Sequence, residues 1–227
     1  MFRDASKLPM DGAGPFIPQL MYKPHTTSDR KRYVEEVLLE GPLFFYSDNA
    51  RCGILLKDAL HSRTRKLHNR DKPVFEGRGP SVSIRLEVRL FNSFGHCSYC
   101  LQWPGYRQWS KQIPTKDFRN PPGPITLGKL AKNVAKCVQR FIQERKSSPM
   151  EDDSDHRWRI GEAPYDIKLE DLVLVSMHHV SLGSWQPQLR LVRPRESRFS
   201  RPTATPSNAQ AISANSIPLS QHVRISR

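Results

Sequence analysis

Two periods of hydrophobic spacing organise this chain. From Ser81 to Leu90, the apolar residues Val82, Ile84, Leu86, Val88 and Leu90 alternate with Ser81, Ser83, Arg85, Glu87 and Arg89. A period of two gives one apolar face and one polar face, which predicts a strand in a half-covered antiparallel sheet. From Leu127 to Ile142 the spacing becomes helical. Leu127, Leu130, Ala131, Val134, Ala135, Val138, Phe141 and Ile142 recur at i, i+3, i+4 and i+7, the pattern of a helix buried along one side. The Thr126 hydroxyl is a competent N-cap, and Ser147-Ser148-Pro149 ends the run, so a helix is predicted over 126–146. Gly128 is its one poor helix former, at a cost of about 1 kcal/mol relative to alanine.

The remaining apolar segments are shorter. Leu43 to Tyr46, Leu172 to Val180 and Gln188 to Val192 read as strands, and Gly183 to Pro187 as the turn before the last of them. A helix is expected to start near Gly53 and continue through His68, while Tyr33 to Leu39 fits a helix or a strand equally well. Asn92-Ser93-Phe94-Gly95 can close a hairpin that returns through His96 to Leu101. The fold class expected is α+β: a small antiparallel sheet from 43–46, 81–91, 172–180 and 188–192, packed against the one long amphipathic helix. Pro, Gly and Ser content divides the chain into a flexible arm (1–28) with a short docking segment among the apolar residues Phe16, Ile17 and Leu20, a single α+β domain (29–192) with an acidic linker (147–160) inside it, and a disordered basic tail rich in Ser, Pro and Arg (193–227).

Composition adjusts this picture. Hydrophobic residues make up 37% of the 227, below the usual globular share, which fits loose ends. No apolar run is long enough to cross a bilayer, so a soluble intracellular protein with no membrane partner is expected, nuclear or cytoplasmic. The formal charge of +14 favours a polyanion, either nucleic acid or an acidic protein. That charge is concentrated in two places. One is Arg63, Arg65, Lys66 and Arg70, with Lys72 beyond them. The other is Lys129, Lys132, Lys136 and Arg140, which share an arc of the long helix opposite its apolar side. These eight residues are the candidate polyanion-binding set; ordinary solvated faces are the competing reading.

Candidate chemistry is sparse. Trp103, Tyr106 and Trp109 surround a Pro-Gly turn and are expected to form an aromatic corner of the core. Cys97-Ser98-Tyr99-Cys100 is a lone C-x-x-C with no second ligand pair, so it predicts no zinc site. His178 and His179 are adjacent on a strand and face opposite ways, so they cannot share a metal. No P-loop, nucleophile-elbow or zincin motif is present. No cofactor and no metal are implied. A binding or scaffold module is the first reading, a nucleic-acid- or chromatin-associated domain the alternative, and an enzyme the least supported.

Arg78-Gly79-Pro80-Ser81-Val82-Ser83-Ile84-Arg85-Leu86, Trp103-Pro104-Gly105-Tyr106, the run Trp109 to Arg119, Pro124-Ile125-Thr126 with Lys129 to Lys136, and His179-Val180-Ser181 with Gly183 to Pro187 together resemble a group of short, functionally uncharacterised proteins of mushroom-forming fungi. The resemblance spans roughly residues 43–192 and implies no activity, ligand or fold. In that group the Ser-Ile-Arg-Leu strand runs almost directly into Trp-Pro-Gly-Tyr, whereas here Val88 to Gln102 intervenes. That segment reads as a lineage-specific insertion or translated intron, with a true hairpin as the rival.

Overall fold

The computed structural model describes residues 13–19, 26–47, 51–86, 103–107, 109–117, 120–152 and 154–194. Its strands are Leu43–Phe44 (β1), Ile54–Leu55 (β2), Ser81–Leu86 (β3), Trp109–Pro114 (β4), Lys116–Asp117 (β5), Gly123–Pro124 (β6), Leu172–Ser181 (β7) and Ser184–Leu191 (β8). Its helices are Thr27–Arg30 (α1), Leu56–Leu60 (α2) and Leu127–Arg145 (α3).

The fold is α+β, a sheet with one long helix, built on the β7–β8 hairpin. β1 and β2 pair with β7 on one side, and β3 then β4 extend the sheet beyond β8. Every pairing is antiparallel except β3 with β8, which run parallel at Ser83↔Ser184 and Ile84↔Trp185. A parallel pair needs a long crossover between its strands, and the chain from β3 to β8, which carries α3, supplies it. The sheet is therefore mixed at one seam, where alternation alone predicts an antiparallel one.

Helix α3 forms where its period says it should. The Thr126 hydroxyl accepts the Lys129 amide, 3.3 Å. Leu127, Leu130, Ala131, Val134, Ala135, Val138 and Phe141 are buried, in one continuous core with Leu172, Leu174, Met177, Leu189 and Leu191 of the hairpin. Each large side chain buried there contributes roughly 1.5–3 kcal/mol. A smaller cluster of Cys52 and Val175, with Phe16, Phe44 and Val173 against it, forms a second apolar group.

Three local expectations change. The helix begun at Leu56 stops at Leu60 instead of running through His68, because Ser62 turns into the left-handed region at φ 59°. β8 begins at Ser184, so Trp185 to Pro187 are strand and not turn. Pro187 fits because its carbonyl accepts from Gln19 Nε2, 3.0 Å. In a strand a residue's N and C=O point the same way, so the missing N–H faces away from β7 and no ladder bond is lost. The docking segment of the arm lies along β8: in residues 13–19 the Gly14 amide donates to Leu191 O (3.0 Å) and the Ile17 amide to Leu189 O (2.8 Å). Within the expected acidic linker, Trp158 and Ile160 are buried in the core, and the Glu151 amide donates to Gly105 O, 3.1 Å.

The hairpin expected at 92–95 with its return through Leu101, the Cys97/Cys100 pair and the intervening segment 88–102 lie outside the described residues, as do most of arm 1–28 and of tail 193–227. Among the described residues no helix is long and apolar enough to cross a membrane.

Candidate polyanion-binding surface

The two basic segments are far apart in sequence and adjacent in the fold. After α2 the chain crosses from the helix layer to the sheet edge, where the His68 amide donates to Tyr46 O, 2.8 Å. It then turns back along the start of α3. The Leu127 amide donates to Lys72 O (2.9 Å) and the Gly128 amide to Arg70 O (2.8 Å). Helix N-terminal amides usually face solvent or a ligand; here residues 70–72 occupy them, which closes that end of the helix to an external anion. The same approach explains Gly128. A Cβ at this position would lie 3.3 Å from Arg70 O and 3.4 Å from Thr64 Oγ1, so the residue that looks weakest in the helix is the one that lets the loop dock.

On this frame Arg63, Arg65, Lys66 and Arg70 are exposed on the loop. Lys132 reaches back from α3 to it, its Nζ donating to Ser62 Oγ at 2.7 Å. Lys136 and Arg140 continue the row, about 6 and 12 Å further along the axis at 1.5 Å per residue. Acidic partners temper the charge. Arg63 pairs with Asp58 (3.7 Å), Arg70 with Asp71 (3.0 Å) and Arg140 with Glu144 (2.7 Å), and Lys129 pairs with Asp117. Exposed pairs of this kind contribute little to stability and exchange readily for another anion. Arg65, Lys66 and Lys136 have no ion pair with any described residue. Arg140, and after it the Trp109 indole N–H, hold the Glu144 carboxyl below the ordinary carboxylate range.

The aromatic corner is part of the core. Trp103, Tyr106 and Trp109 are buried and meet Phe141 edge-on, with centroids 5.3, 6.4 and 5.8 Å away. Their polar handles are used internally: Trp103 Nε1 donates to Trp158 O (3.1 Å), Tyr106 Oη accepts the Ile160 amide (2.9 Å) and Trp109 Nε1 donates to Glu144 Oε2 (2.7 Å). None of the three offers a face for stacking a base.

The two described cysteines are similarly enclosed. Burial pushes the Cys52 and Cys137 thiols up to about 11, which leaves almost no thiolate at neutral pH. Ser176 and His178 are in contact, Oγ to Nε2 at 2.9 Å, but the Ser176 hydroxyl donates its proton to Gln188 Oε1, 3.0 Å. His178 must then donate to Ser176 and cannot act as its base. No group of three or more metal-ligating side chains occurs among the described residues.

Asp117 and Ser62 were not legible as parts of this surface. Each acts on a residue distant in sequence, and no local spacing announces such a contact. No protein-family model, curated protein or solved structure matches the chain.

Proposed function

We propose that this chain is a non-catalytic binding module that engages the phosphates of a nucleic acid through the surface built from residues 62–72 and α3. The observation that carries the reading is the docking of that loop on the first turn of α3, with Arg70 O on the Gly128 amide and Lys132 on Ser62. It supports reading two separated charge runs as one cationic face. The absence of an exposed ring in the Trp103–Trp109 corner favours contact with phosphate over contact with bases, and such binding is insensitive to sequence and sensitive to salt.

Filter binding to a short DNA duplex over a salt series tests it. If Arg65, Lys66, Lys132 and Lys136 each meet a phosphate, log K falls against log salt with a slope of about −3.6. The triple variant Arg65→Glu/Lys66→Glu/Lys136→Glu flattens the slope to about −0.9. No binding at low salt, or an unchanged slope in the triple variant, overturns the reading.

A further inference from the structure

The segment ahead of β1 lies across the tip of the β7–β8 hairpin and is held there by few bonds. Neither α1 nor the π-helical turn Lys31–Glu35 after it buries a residue, and Leu38 is 95% exposed. Apolar burial therefore does little to hold this segment. Three polar contacts remain. The Leu182 amide, in the hairpin turn, donates to Tyr33 O at 2.9 Å. The Glu40 amide donates to His179 Nδ1 at 2.9 Å. The Glu40 carboxylate pairs with Arg78. His179 is 4% exposed and its ring stacks on Trp185, centroids 4.8 Å apart and planes within 9°. The Arg78 guanidinium lies 6.0 Å over the Trp185 ring.

One of these contacts depends on a proton. Nδ1 accepts only while it carries none, so the Glu40 bond requires a neutral ring protonated on Nε2. In the imidazolium, Nδ1–H and the Glu40 N–H would point at each other, donor against donor. Nε2 is buried with no hydrogen-bond partner. The groups that act on it come from each neighbouring element. Arg78 ahead of β3 opposes the charge, Glu40 on the segment itself favours it, the Ser181 backbone on β7 favours it weakly, and Trp185 on β8 carries no charge. Burial first, and Arg78 second, hold the ring below its usual 6.5.

We propose that residues 27–40 are an acid-released strap, latched to the sheet by the neutral imidazole of His179 and freed when that ring takes up a proton. The sign follows from the depressed value. Stabilisation from the latch is fully present above about 6.5, the value of the free ring, and is lost as the pH falls through the lower value of the latched one. Release uncovers the edge of β7 beyond Met177, where its pairing with β1 ends.

Amide exchange on the full chain, corrected for its intrinsic pH dependence and followed from about pH 8 to about pH 5, tests the latch, with the His179 ring nitrogen shifts reporting its titration. The Glu40 and Leu182 amides should lose protection by about five- to tenfold as the ring titrates, while the β7 amides that bond to β8 hold theirs. His179→Gln keeps an acceptor oxygen and cannot titrate, so its Glu40 amide stays protected throughout. His179→Phe keeps the stack and loses the acceptor, so it shows the acid-level exchange at every pH. Constant Glu40 protection in the unaltered chain, or an equal acid loss in His179→Gln, overturns the proposal; β7 protection in each variant shows that it has folded.

Discussion

At the scale of a single residue, Phe141 is where the apolar face of α3 and the aromatic corner meet. It is fully buried and receives Trp103, Tyr106 and Trp109 edge-on. A truncation here removes one ring and the common partner of three others, and the surrounding indoles are tied by their N–H groups to Trp158 O and Glu144, which limits collapse into the gap. Phe141→Ala is therefore expected to lose about 3–5 kcal/mol, read from the urea midpoint at constant slope. Phe141→Leu should lose clearly less. Equal losses would mean that the cavity is not what matters. Gly105 supports the same corner from behind. At φ 87°, and with Met150 Cε 2.6 Å from where a Cβ would stand, it lets Glu151 reach the Gly105 carbonyl.

At the scale of elements, the chain announces some structures and conceals others for physical reasons. α3 was legible because a helix half-buried along its length must repeat its apolar residues every three or four positions, and its cap was legible because Thr126 has the required hydroxyl. β4 was concealed because it is an edge strand: only Trp109 and Ile113 of its six residues are buried, too few to show alternation. β8 was cut short because proline usually forbids a strand interior, and only the orientation of Pro187 lifts the ban. The helix after Leu56 was overextended because its basic continuation carries no stop signal, and the turn at Ser62 is imposed by docking on α3. The eight cations were legible as charge, but the docking of the 62–72 loop on α3 was not, since it depends on contacts such as Lys132 with Ser62, 70 residues apart. Two substitutions probe this level together. Thr126→Ala should destabilise by about 1 kcal/mol through the lost cap. Gly128→Ala should fail to return the roughly 1 kcal/mol that helix propensity promises, because the added methyl crowds Arg70 O. A full gain in thermal or urea stability for Gly128→Ala would show that the loop is not docked as described.

At the scale of the molecule, bonding is densest at the centre of the sheet and thins toward the strap. β7 has β1 and β2 on one edge and β8 on the other, and β8 is flanked in turn by β3 and by residues 13–19. Nearly every residue of both strands is buried. The amides that bond β7 to β8 thus open only when the hairpin is pulled apart, which means unfolding the core that α3 shares with it. α1 and the π-helical turn after it have no such tie, since among the described residues they bury nothing and meet the hairpin through one hydrogen bond, from the Leu182 amide to Tyr33 O. Native-state exchange at neutral pH should therefore rank the chain in one order. β7 and β8 amides exchange slowest, at the rate set by global unfolding, followed by the inner face of α3, then the loop 62–72, with residues 27–36 fastest. Added denaturant should accelerate the first group steeply and leave the last nearly unchanged, because local opening of the strap exposes little surface. If residues 27–36 instead exchange in step with β7 across the denaturant series, the strap is an integral part of the core and the hairpin is not the unit on which the rest is assembled.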